Sequence, residues 1–85
     1  MSGLPQLRLL SRPGCHLCEA FEQALQQGYG GRIELQVQNV DDDAQLRARY
    51  GLRIPVLLDD EDSLICELRP DRQRIDAWLA AVARE

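Results

Sequence analysis

The sequence predicts a single α/β domain, in which three helices pack on a four-stranded mixed sheet in the order β-α-β-α-β-β-α. Three observations predict this fold. Two apolar runs near the N-terminus enclose a stretch with helical periodicity, which is typical of a βαβ unit. Two later apolar runs are separated by four acidic residues, a length that suits a hairpin turn. The last stretch again has apolar residues at helical spacing, and 85 residues are enough for only one hydrophobic core.

The first half of the chain supplies the βαβ unit. The first strand is expected at about residues 7–11, and the first helix from about Cys15 to Gln27. Apolar residues recur in that helix at intervals of three and four, at Leu17, Ala20, Phe21, Ala24 and Leu25. A cluster of three glycines then ends it. Residues 33–38 alternate apolar and polar, which predicts a strand near a sheet edge. As the second strand of a βαβ unit it should run parallel to the first, through a right-handed crossover.

The second half supplies a helix, a hairpin and a final helix. Aspartates at 41–43 cap the second helix, which Gly51 ends. Residues 54–58 and 63–68 are the third and fourth strands, and they pair antiparallel across their short turn. Pro55 lacks an amide proton, so it marks a strand start and is a candidate for a cis peptide bond. The last helix begins after residues 69–71, and its core stripe consists of Ile75, Trp78, Leu79 and Val82.

The composition excludes several classes of function. The chain has 10 basic residues, all of them arginine, against 14 acidic ones, and a net charge of −4. Because there is no basic footprint, we expect no nucleic-acid partner. No run approaches the roughly 20 apolar residues of a membrane helix, so we expect neither an anchor nor a secretory signal. Three cysteines do not make a secreted disulfide framework, and we therefore expect a cytoplasmic protein, as a monomer.

Cys15 and Cys18 form a C-x-x-C motif directly after the first strand. This spacing serves either a redox pair or half of a metal site, which would need two further ligands. The strand-turn-helix context favours the redox pair, and we expect no metal. At a helix N-terminus, free amides and the helix dipole would stabilise a thiolate, so we expect a lowered pKa for Cys15. Arg12 and His16 could add positive charge nearby.

The C-x-x-C motif, the order of the elements and the Ile54-Pro55 pair together resemble the thioredoxin superfamily, and the length resembles its glutaredoxin branch. Residues 11–18 are similar to a group of short bacterial glutaredoxin-like proteins. The resemblance implies that Cys15 is the nucleophile, that Cys18 is the resolving cysteine and that Pro55 is the cis-proline opposite the two sulfurs. The backbone of Ile54 would then pair with an extended peptide or with glutathione. Arg12, His16, Ile54 and Pro55 are thus the candidate substrate-binding residues.

The chain departs from the glutaredoxin pattern in three places. Glutaredoxins usually have proline directly after the first cysteine, where this chain has His16. Their threonine-valine-proline run is replaced by residues 53–55, of sequence Arg-Ile-Pro. The Gly-Gly pair before the last helix, which helps to hold the γ-glutamyl end of glutathione, is replaced by residues 68–71, of sequence Leu-Arg-Pro-Asp. The missing glycines favour protein disulfides as substrates.

These observations predict a thiol–disulfide oxidoreductase that reduces protein disulfides or glutathione mixed disulfides. No cofactor is expected to be bound. Glutathione is a candidate co-substrate, and glutathione or a thioredoxin-type donor is the expected reductant. Two alternatives are an iron-sulfur protein, in which Cys15 of two protomers and glutathione hold the cluster, and a thioredoxin-like binding module without enzymatic activity. Cys66 is predicted to be a small buried hydrophobic residue and not a third redox thiol.

Overall fold

The computed structural model describes residues 3–83 and has the predicted order of elements, with an added 3-10 turn. The strands are β1 (Gln6–Ser11), β2 (Glu34–Asn39), β3 (Val56–Leu58) and β4 (Leu64–Glu67). The helices are α1 (His16–Tyr29), α2 (Ala44–Tyr50) and α3 (Arg72–Val82), and the 3-10 turn is Val40–Asp42. The α/β fold class is confirmed. Within residues 3–83, no helix has both the length and the apolar character that crossing a membrane requires.

The strand order is β2-β1-β3-β4, with β1 and β2 parallel and the other two pairs antiparallel. β2 therefore lies at an edge of the sheet, as predicted. Because β3 alone runs in the opposite direction, the C-terminal ends of β1, β2 and β4 lie beside the N-terminal end of β3. The register pairs Ser11 with Asn39, and Val56 with both Leu10 and Glu67. We call this end of the sheet, where these strand ends meet, the dithiol edge; the name does not refer to an edge strand. It comprises residues 11–18, 39–43, 51–55 and 67–71.

Helices cover both faces of the sheet. The larger core cluster joins the sheet to α1 and α3, and its buried members are Leu7, Leu9, Phe21, Leu25, Tyr29, Ile33, Leu57, Ile65, Cys66 and Ile75. The smaller cluster joins the other face to α2, and its buried members are Leu10, Val40, Tyr50, Val56 and Leu58. Neighbouring residues of a strand divide between the clusters because successive side chains point to opposite faces. Trp78 is only half-buried, whereas Ile75 is the fully buried residue of α3.

The buried face of α1 differs from the predicted one. Its buried residues are Cys18, Phe21, Leu25 and Tyr29. Leu17, Ala20 and Ala24 are exposed, and the helix continues two residues beyond Gln27. Leu17 and Cys18 both have helical spacing to Phe21 and Leu25, so periodicity alone does not choose between the two faces. The consequence is that an apolar side chain between the two cysteines, that of Leu17, is 61% exposed.

Strand β4 contains an irregularity that changes which of its residues are buried. Leu58 pairs with Leu64, but Leu57 pairs with Cys66, so Ile65 is an extra residue in the ladder. Ile65 and Cys66 are consequently both buried, and Leu64 is exposed. Burial raises the pKa of the Cys66 thiol. The thiol is therefore protonated and inaccessible near neutral pH, which agrees with the predicted packing role.

Candidate dithiol site

The loop between β1 and α1 places Cys15 at the N-cap of the helix. Gly14 has a φ of +80°, which fits the third position of a type II turn after Pro13, and the Cys15 amide donates to the Arg12 carbonyl at 3.1 Å. Cys15 itself is extended, with φ −86° and ψ 104°. Cys15 and Cys18 are joined as a disulfide with their Cα atoms 5.2 Å apart. The turn and the cap thus bring the two thiols together.

The two cysteines differ in exposure. Cys15 is partly exposed, whereas Cys18 is 1% exposed and belongs to the buried stripe of α1. This difference follows from their positions, because the N-cap lies beyond the helix and Cys18 faces the sheet from its first turn. Of the two cysteines, Cys15 is therefore the one that is in contact with solvent.

The helix terminus presents a hydrogen-bond donor to Cys15. The Cys18 amide donates to the Cys15 Sγ at 3.2 Å. Amides in the first turn of a helix have no partner within the helix, and the dipole of the 14-residue α1 adds partial positive charge there. Negative charge on the Cys15 sulfur is therefore stabilised by backbone groups alone.

The side chain of His16 points into solvent and is not packed against the Cys15 sulfur. Its side chain is 95% exposed, and its Nδ1 atom lies 3.7 Å from a carboxylate oxygen of Glu19, which is also exposed. Water screens a charge in such a position. His16, a predicted substrate-binding residue, therefore lies on the surface directly after Cys15 in the chain. Its contact is with Glu19 and not with the sulfur.

Arg12 is held by partners within the protein. Its Nε and Nη2 atoms donate to the two carboxylate oxygens of Asp41 at 2.7 and 2.8 Å, and its Nη1 donates to the Gly51 carbonyl at 3.2 Å. The hydrogen bonds from Arg12 hold the pKa of the Asp41 carboxyl below its usual range. Arg12 therefore ties the loop before Cys15 to two other loops of the dithiol edge. A substrate carboxylate would have to displace Asp41 to bind it.

Residues 53–55 lie at the same edge of the sheet. The Ile54–Pro55 peptide bond is cis, and Pro55 is buried. Ladder pairing of β3 begins at Val56 on both sides, so Ile54 lies outside the ladders and β3 starts two residues later than predicted. The Leu68 amide donates to the Pro55 carbonyl at 2.7 Å.

Arg53 is also engaged internally. Its guanidinium makes two parallel hydrogen bonds of 2.8 Å to the carboxylate of Glu67, and it lies over the ring of Tyr50. The Arg53 hydrogen bonds lower the pKa of the Glu67 carboxyl. This pair fixes the start of β3 against the end of β4.

Sequence reasoning missed two leucines at the dithiol edge. Leu68 has a φ of +69°, a region that favours glycine, and its side chain is 49% exposed. Leu52 is fully exposed. The glycines that glutaredoxins usually have before the last helix could have indicated the left-handed backbone at Leu68. Nothing in the local pattern indicated the exposure of Leu52, because loops have no periodicity to read.

Residues 3–83 contain no group of three or more histidine, cysteine, aspartate or glutamate side chains that could hold a metal ion. A metal ion or iron-sulfur cluster bound by Cys15 and Cys18 would therefore need ligands from outside this part of the chain. A shallow cleft of about 260 Å³ adjoins the site between the end of β2 and the loop before Cys15, and Val37 and Pro13 are among its lining residues.

The strand order β2-β1-β3-β4 and a dithiol at the start of α1 define a small protein with a thioredoxin-like fold. The sequence matches the family described as the glutaredoxin-like domain (DUF836) over residues 6–80. The chain belongs to this family.

Solved structures of similar proteins agree with this assignment. The chain is similar to the X-ray structure of protein XcR50 from X. campestris, with 40% sequence identity, a TM-score of 0.70, and 88% of this chain and 96% of that one covered. It is also similar to the solution NMR structure of protein Ne2328 from Nitrosomonas europaea, with 35% identity, a TM-score of 0.70, and 88% and 91% covered. No curated protein gives a significant match.

Proposed function

We propose that the protein is a thiol–disulfide oxidoreductase in which Cys15 is the nucleophile and Cys18 the resolving cysteine. The observation that supports it best is the unequal placement of the two sulfurs. One cysteine is partly exposed and lies at a helix N-terminus that would stabilise its thiolate, while the other is buried one turn later and is bonded to the first. Disulfide exchange needs this division between an attacking and a resolving thiol.

The reaction proceeds in two balanced steps. The Cys15 thiolate attacks one sulfur of the substrate disulfide, whose S–S bond breaks, and the leaving thiolate takes a proton from solvent. The Cys18 thiol then loses its proton to solvent and attacks Cys15 Sγ, which releases the second substrate sulfur as a thiolate that takes up a proton. The substrate gains two electrons and two protons, and the protein is left with the Cys15–Cys18 disulfide. A dithiol of thioredoxin type, or two molecules of glutathione, restores the reduced protein.

The residues around the dithiol would hold the substrate or fix the loop that carries Cys15. The backbone of Ile54, free of the ladders, would receive the backbone of an extended substrate, with Pro55 at its base. Arg12 would fix the loop that holds Cys15 instead of binding substrate, since Asp41 and Gly51 occupy its donors. This chemistry needs a reducing supply of thiols, as in the cytoplasm. The chain would bind no resident cofactor and would act as a monomer, with a disulfide-containing protein or glutathione as its partner.

A trapping experiment tests the division of roles. With Cys18→Ser, the second step cannot occur, so Cys15 should remain bonded to half of the substrate. On a Cys66→Ala background, the Cys18→Ser protein is mixed with two identical peptides joined by one disulfide. We expect the protein to gain the mass of one peptide chain, and dithiothreitol to remove it. The double variant Cys15→Ser, Cys18→Ser is the matched control and should gain nothing. An adduct on Cys18 in the Cys15→Ser variant, with no adduct on Cys15 in the Cys18→Ser variant, would refute the assignment.

A further inference from the structure

We propose, on the basis of the exchange reaction above, that the dithiol edge docks an extended protein segment with apolar side chains beside its disulfide. Leu52 and Leu68 are the residues that hold those side chains. The edge would take such a segment in preference to glutathione.

Three exposed leucines lie at the dithiol edge. They are Leu17, Leu52 and Leu68, and Leu52 is fully exposed. Hydrogen bonds tie their neighbours together, because Arg12 donates to the carbonyl of Gly51 and its own carbonyl accepts from the Cys15 amide. The amide of Leu68 donates to the carbonyl of Pro55. Leu52 and Leu68 therefore lie on loops that hydrogen bonds hold at the same end of the sheet as Cys15, and Leu17 lies in the first turn of α1.

The backbone of Leu68 indicates that its side chain has a role outside the fold. A leucine with a φ of +69° is strained, and glycine would adopt this conformation without strain. When a strained residue has a buried side chain, the packing of that side chain offsets the free-energy cost of the strain. Leu68 is 49% exposed, so packing offsets less of the cost. Strain of this kind is concentrated at binding sites. Contact with a partner explains a leucine at this position, and the stability of the isolated chain does not.

The charges of the dithiol edge do not suit glutathione, which has two carboxylates. Asp41 occupies the guanidinium of Arg12 and Glu67 occupies that of Arg53, each through two hydrogen bonds. Arg69 is the remaining arginine of this edge, and no ion pair of the described residues involves it. The whole chain has a net charge of −4. A segment without carboxylates is thus a better electrostatic match than glutathione, and the backbone of Ile54, which lies outside the ladders, suits an extended one.

Rates of exchange with matched substrates test the proposal. The substrates are a disulfide-bridged peptide with leucines flanking its cysteine, the same peptide with serines there, and oxidised glutathione. The reduced wild-type protein should react fastest with the leucine peptide. Leu52→Asn and Leu68→Gly should each slow that reaction by about tenfold, the effect of losing one leucine contact, and leave the glutathione reaction unchanged. Leu68→Gly keeps the left-handed backbone available, so folding is not at risk.

Leu64→Asn is the matched control, because Leu64 is an exposed leucine at the opposite end of β4, and its rates should equal those of the wild type. The docking proposal would be overturned if the wild type reacted faster with oxidised glutathione than with the leucine peptide, or if the leucine variants slowed the reactions of all substrates equally. The exchange reaction would still stand. A wild-type dimer that Leu52→Asn dissociates, seen by light scattering, would overturn it in favour of a second copy of the chain. No exchange with any substrate would refute the proposed function itself.

Discussion

Replacement of Cys15 by serine should reduce thiol–disulfide exchange to the uncatalysed background. A serine hydroxyl is not ionised near neutral pH, so the attacking group is lost. Cys18 cannot replace it, because its sulfur is buried below the surface that a substrate reaches. The measurement is the initial rate at which the reduced protein cleaves a disulfide-bridged peptide, followed by the thiols released.

Cys66→Ala is the matched control for this result. It also removes one thiol, but that thiol is buried and burial raises its pKa. The variant should therefore react at the rate of the wild type. Undiminished exchange by Cys15→Ser, or a loss of exchange in Cys66→Ala while the protein remains folded, would contradict the assignment of the nucleophile.

Phe21→Ala should lower the free energy of unfolding by about 3–5 kcal/mol, the usual effect of removing a buried phenylalanine. Phe21 is 1% exposed and lies in the larger core cluster, one turn after Cys18. Small domains have a total stability near the lower end of about 5–15 kcal/mol, so much of the stability would be lost. Urea denaturation of the oxidised protein, followed by the fluorescence of Trp78, measures it.

Leu17→Ala provides the comparison on the same helix. The side chain of Leu17 is 61% exposed, so its truncation should change the free energy of unfolding by no more than about 0.5 kcal/mol. Similar losses for Phe21→Ala and Leu17→Ala would show that the buried face of α1 is not the one described.

The order of the elements was predictable because it depends on local patterns. The apolar runs of the strands, the three- and four-residue spacing of the helices and the acidic turn at residues 59–62 each act over a few neighbours. The position of Cys15 at a helix N-terminus was predictable for the same reason, since a Pro-Gly turn precedes it and an amphipathic stretch follows. Local signals were sufficient for the fold and for the location of the dithiol.

The remaining features depend on contacts between distant residues. Arg12 and Asp41 are separated by 29 positions, and no local pattern shows that they pair. The exposure of Leu17 depends on which of two overlapping stripes faces the sheet. The left-handed backbone of Leu68 lies beside Pro55, whose carbonyl accepts a hydrogen bond from the Leu68 amide just beyond the ladder. The sequence therefore predicts the position of the dithiol better than it predicts the surface around it.

We expect Cys15 and Cys18 to form a reversible two-electron couple. The most direct test equilibrates the metal-free Cys66→Ala protein in glutathione redox buffers, alkylates the free thiols and measures the masses. Such a couple should show one reversible transition between the dithiol and the intramolecular disulfide, with the dependence on the buffer expected for two electrons. A protein that never forms this disulfide at any buffer ratio, or that is purified with iron or zinc on the two cysteines, would contradict it.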